Sequence, residues 1–143
     1  MGRILAIDYG RKRCGIAVTD PLQIVANALT TVPTAKLVEF VKNYVAAETV
    51  DTIVVGFPTT MRGEESESMR YIRPGIERLK AQIPNIPIVF FDERFTSAIA
   101  HRAMIDSGMP KMARRNKAAV DQIAATIILN DYLQSKQYNH SKA

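Results

Sequence analysis

The chain has 143 residues, 47% of them hydrophobic and 23% charged, so it can build a core and is not a disordered chain. Its formal net charge of +5 suits contact with phosphate backbones, and its single cysteine, Cys14, excludes an internal disulfide and a multi-cysteine zinc site and suits a reducing cytoplasm. No apolar run approaches the roughly 18 residues of a membrane span, and strand-like sequence starts too early to leave room for a signal peptide.

Ile4 to Ile7 reads as a buried strand that ends on Asp8. Gly15 to Val18 reads as its antiparallel partner across the short Tyr9–Cys14 connection. A third strand is predicted over Ala26 to Val32, stopped by Pro33. Leu37, Val38, Val41, Tyr44 and Val45 recur at helical spacing, which predicts a helix over Ala35 to Glu48. Thr52 to Val55 is a short apolar strand closed by Gly56 and Pro58. Glu64 to Gln82 has a helical period, with a kink or break expected at Pro74 and Gly75. Ile88 to Phe91 is an all-apolar strand that runs into Asp92 and Glu93. A helix capped by Thr96 or Ser97 should stop near Gly108, and Asn116 should cap a last helix over Lys117 to Gln134. Three strands followed by βαβ-like units predict an α/β domain, a mixed sheet covered by helices. With no linker and no repeat, residues 1–137 form one domain, and residues 138–143 form a polar tail expected to fray.

Three acidic positions stand out. Asp8 ends the first strand, Asp92 and Glu93 end the last, and Asp121 shares a helical stripe with Ala124, Ala125 and Ile128. Ligands in open α/β sheets gather at the carboxyl ends of parallel strands. A final helix made slim by alanines could carry Asp121 to the same edge. Carboxylates gathered there would repel one another unless a divalent cation sat among them, and oxygen donors suit Mg²⁺ or Mn²⁺. Two such ions about 3.5–4 Å apart form the usual clamp for in-line attack at a phosphodiester. Taken singly, each acid also has an ordinary explanation: a turn residue, a helix-dipole partner, or an ion pair with Arg94.

Basic residues border these acids. Arg11, Lys12 and Arg13 follow Asp8, Arg62 lies after the fourth strand, and Lys111, Arg114, Arg115 and Lys117 precede Asp121. Around one sheet edge they would rim an acidic centre with cations that hold a phosphate backbone. His101 has no second histidine nearby. Cys14 reads as a packing residue, and Tyr44, Tyr71 and Phe90 have core spacing. The common glycine-rich nucleotide signatures are absent.

The segments "AIDYGRKRCGIAVTD", "IVVGFPTTMRGEESESM", "FFDERFTS" and "AAVDQIAATIIL" together resemble the YqgF (RuvX) family, from about Ile4 to Leu133. The resemblance implies an RNase H-like fold, a five-stranded mixed sheet whose second strand is antiparallel to the first, flanked by helices. It implies a cytoplasmic, metal-dependent nuclease with Asp8, Glu93 and Asp121 as metal ligands. The resemblance favours Glu93 over Asp92; alternation along a strand lets only one of the two face the site and does not say which. Arg94 of the same segment is expected on a phosphate. The implied substrate is structured or single-stranded RNA, above all the 5′ end of pre-16S rRNA. Cleavage of branched DNA at Holliday junctions is the alternative, and a catalytically idle nucleic-acid-binding module a further one. The chain is expected to be a monomer or a weak homodimer, with no membrane partner. An actin-like ATPase would need two related domains, and 143 residues supply one.

Overall fold

The computed structural model describes residues 2–57, 69–92 and 117–142. In chain order the elements are β1 (Arg3–Tyr9), β2 (Arg13–Thr19), β3 (Ala26–Pro33), a 3-10 turn (Thr34–Lys36), α1 (Leu37–Ala47), β4 (Val50–Phe57), α2 (Met69–Gln82), β5 (Ile88–Asp92) and α3 (Lys117–Lys142). The strands form one sheet in the order β3-β2-β1-β4-β5. β2 runs antiparallel to β1 and β3, while β4 and β5 run parallel to β1 and to each other. The mixed sheet expected from the sequence is therefore present, with its second strand antiparallel.

β1 lies at the centre, and Ile4 to Ile7 are buried completely. A strand covered on both faces needs apolar residues at every position, which is why this run does not alternate. Its odd residues Leu5, Ile7 and Tyr9 pack with Leu37 and Val41 of α1 and with Ile72, Ile76 and Leu79 of α2. Its even residues Ile4 and Ala6 pack with Ala17, Val54 and the α3 residues Ala125, Ile128, Leu129 and Leu133. Burying one such isoleucine contributes about 1.5–3 kcal/mol.

Three expectations change. The helix bearing Pro74 runs unbroken from Met69 to Gln82. Pro74 is only its sixth residue and is exposed, as is Arg70, so water can reach the Arg70 carbonyl that loses its donor. Gly75 serves packing instead: an added Cβ there would overlap the Tyr9 hydroxyl. The last helix extends past Gln134 to Lys142, through the polar residues expected to fray. Phe90 is 38% exposed and is not a core residue. The helix expected over Thr96 to Gly108, its caps, and the Asn116 cap lie outside the described residues.

Candidate active site

Asp8 is the sixth residue of β1 and is half-buried. Its register partners on both sides are glycines, Gly15 on β2 and Gly56 on β4. The positions flanking this carboxylate in the sheet therefore carry no side chain. By strand alternation Asp8 belongs with Ile4 and Ala6, on the face covered by α3. β1, β4 and β5 are parallel, so the ends that carry Asp8 and Asp92 share one edge of the sheet.

Register continues across that edge. Asp8 pairs with Gly56 and Gly56 with Phe91, while Asp92 pairs with Phe57. Phe91 packs on the α3 side, where its ring meets Tyr132 edge-on at 6.0 Å. Phe91 thus shares the face of Asp8, two strands away. Asp121 is the fifth residue of α3, one helical turn before Ala125, which is fully buried against the sheet. Glu93, Arg62, Arg94, Lys111, Arg114 and Arg115 lie outside the described residues. Lys117 opens α3. Among the described residues, no three His, Cys, Asp or Glu come together as a metal-binding group.

The basic turn is placed directly. Tyr9 pairs with Cys14, and Gly10, Arg11 and Lys12 connect the two strands. A Cβ at Gly10 would overlap the Arg13 carbonyl oxygen, so the turn demands glycine at that position. Arg11 and Lys12 are exposed and Arg13 is half-buried. Thr34 braces the turn from the end of β3. Its hydroxyl donates to the Gly10 carbonyl at 2.7 Å, and its backbone N–H donates to the Lys12 carbonyl at 3.0 Å. Cys14 is buried with its sulfur 3.5 Å from the same hydroxyl, a packing role as expected. Sequence reasoning missed Thr34, because a threonine after a proline carries no local sign of a partner 24 residues earlier.

On the opposite face, Tyr9 is buried under Gly75. Burial pushes the Tyr9 phenol above its usual range, and the nearby Cys14 adds to this. The Arg78 guanidinium, which hydrogen-bonds it, pulls the other way. Tyr71 tilts against Tyr9 with ring centroids 6.1 Å apart, and the Arg11 guanidinium lies 5.5 Å from the Tyr71 ring.

This strand order, with an antiparallel second strand and an acid closing the central strand, defines an RNase H-like α/β domain. T. thermophilus RuvC in complex with Holliday junction substrate has the same fold, with a TM-score of 0.59 at 12% identity over 96% of both chains. A second Thermus thermophilus RuvC structure matches at 0.55 and 11% identity, over 94% of this chain and 96% of that one. At such identities the likeness is one of fold. The RuvX family, described as Holliday junction resolvase, matches residues 2–135, and the chain belongs to that family. A Phocaeicola vulgatus protein named "Putative pre-16S rRNA nuclease" is 59% identical over 138 residues, covering 96% of this chain and 99% of that protein. A Porphyromonas gingivalis protein of the same name is 56% identical over 135 residues, covering 94% and 98%. Among the described residues no helix is long and apolar enough to cross a membrane.

Proposed function

We propose that this chain is a metal-dependent phosphodiester nuclease that trims the 5′ end of pre-16S rRNA. The observation that carries the reading is the placement of Asp8: half-buried, at the carboxyl edge of three parallel strands, between two glycines. Its two cross-strand neighbours are glycines and add no side chain against it, and carboxylate oxygens suit Mg²⁺ or Mn²⁺. Asp8, Glu93 and Asp121 would hold the metal. Of Asp92 and Glu93, the family resemblance favours Glu93. Asp121 is supported by its place one turn before the buried Ala125. Bound divalent ions, two in this reading, would supply an activated water and neutralise charge at phosphorus. The exposed Arg11 and Lys12, together with Arg13, would hold the backbone of the RNA. Arg62, Arg94, Lys111, Arg114, Arg115 and Lys117 would extend that rim. The relatives' name supplies the substrate.

The family description favours a second reading, junction resolution, by the same chemistry on branched DNA. That reaction needs two centres related by symmetry, and so a dimer. The test sets a labelled pre-16S 5′-leader RNA beside a four-way DNA junction, with Mg²⁺ or Mn²⁺ and with Asp8→Asn as control. Metal-dependent cutting of the RNA, lost in the variant, supports the first reading. Paired cuts in the junction by a chain that sizes as a dimer support the second. Cutting of neither substrate refutes the nuclease assignment.

A further inference from the structure

The face of the sheet opposite Asp8 carries a second set of groups suited to RNA. α2 presents Arg70, Arg73, Arg78 and Lys80 against one acid, Glu77, and all five are exposed. α1, by contrast, balances Lys42 against Glu39. Two arginine–aromatic stacks flank the start of α2. On the β1 side Arg11 lies 5.5 Å from the half-buried Tyr71 ring. On the β5 side Arg73 lies 5.8 Å from Phe90, which also meets Phe57 edge-on at 5.9 Å. β1 and β5 are two strand spacings apart, about 9.6 Å. An exposed phenylalanine under a guanidinium is poor core packing, but it is a ready stacking surface.

We infer that this patch, Arg70, Arg73, Tyr71 and Phe90, binds single-stranded RNA that flanks the cleaved bond. The inference rests on the nuclease reading and extends its substrate contact to the α2 face. Arginines supply phosphate contacts, and aromatic faces stack on unpaired bases whatever their sequence. A duplex keeps its bases stacked on one another and has none to offer. The turn Gly10–Lys12 joins the two faces: Asp8 lies on one, Tyr9 on the other, and Arg11 reaches over to Tyr71. A strand held at Asp8 would cross the edge at this turn and continue onto α2.

The test measures binding by fluorescence anisotropy in the Asp8→Asn background, with a 20-nucleotide single-stranded RNA, so no cleavage is required. Arg70→Gln with Arg73→Gln should weaken binding at least tenfold. Losing two phosphate contacts should lower the slope of log affinity against log salt by about 1.4. The chain has no tryptophan, so Phe90→Trp adds a single reporter. Its fluorescence should be quenched by single-stranded RNA and not by RNA duplex, whereas Leu22→Trp, on the far hairpin, should stay unchanged. RNA binding that leaves the slope and the Phe90→Trp signal unaltered overturns this inference and spares the nuclease reading. Absence of any RNA binding by the Asp8→Asn chain overturns both.

Discussion

The two faces of β1 are built on different scales. Toward α1 and α2 the strand presents Leu5, Ile7 and Tyr9, and the neighbouring strands add Ile16, Val18, Ile53 and Val55. Toward α3 it presents Ile4, Ala6 and then Asp8, against Ala17, Val54 and Ala125. Large side chains hold helices off a sheet and fill the gap with apolar volume. Alanines let a helix come close, and a close helix can bring a polar group to the strand end. One face therefore holds the larger cluster of bulky side chains, and the other, which carries Asp8, is packed in part with alanines. One strand supplies both because alternate residues point opposite ways.

Substitutions on each face should separate the two roles. Asp8→Asn should reduce cleavage to background with little change in the urea midpoint, and Asp121→Asn should do the same. Wild-type cutting by either variant would remove that residue from the site. Next in size, Ile7→Ala opens a cavity on the bulky face and should cost about 2–5 kcal/mol. Its activity, measured well below the melting temperature, should be nearly retained. Ala6→Leu, one residue away, overpacks the alanine face and should cost about 1–3 kcal/mol. Because it pushes α3 outward, it should lose more activity than Ile7→Ala despite the smaller loss of stability. If the two variants lost activity in proportion to stability, the division of labour between the faces would be wrong.

Much of this was legible in the sequence, and for physical reasons. Strands buried on both faces must be apolar throughout, so Ile4–Ile7 announced itself, and the apolar run Ile88–Phe91 marked a further strand although its residues are only partly covered. The central carboxylate did too, since Asp8 interrupts such a run. The rest depended on contacts distant in sequence. Pro74 and Gly75 look like a break, yet the proline lies on the exposed side of α2, and the glycine answers to Tyr9, 66 residues earlier. Phe90 has the spacing of a core residue, but among the described residues β5 is an edge strand with no strand beyond it, and Phe90 stays exposed. Lys117–Lys142 continues as helix through residues whose composition alone suggests a tail. As for the candidate site, the place of Asp8 near the end of the central strand could be read. The glycines beside it could not, because register is a property of the sheet.

Gly75 offers a finer probe of the bulky face. Gly75→Ala places a methyl against the Tyr9 ring and hydroxyl and should cost about 1–3 kcal/mol. Tyr9→Phe in the same chain removes the hydroxyl and should recover part of that loss, so the double-mutant cycle should show coupling. Additive effects would mean that α2 relaxes away from β1 without resistance.

The smallest effect concerns neither face directly but the hairpin that fixes register for both. The Asp20 carboxylate accepts backbone N–H bonds from Val25 and Ile24 at 2.8 Å and from Leu22 at 3.1 Å, around Gln23 in a left-handed conformation (φ 60°). These bonds, led by that from Val25, hold the Asp20 carboxyl below the usual carboxylate range. The unfolded chain, with a pKa of about 3.9, therefore binds the proton more readily than the folded one. Stability from this turn is fully present above that value and is lost as pH falls through the lowered folded value. Asp20→Asn keeps an acceptor but cannot titrate. Urea midpoints of wild type and variant should differ modestly at pH 6 and converge toward pH 2. A constant gap across that range would mean that the charge on Asp20 contributes nothing to the turn. The register that pairs Ile16 with Thr30 and Ala17 with Ala28 would then be set by strand packing alone.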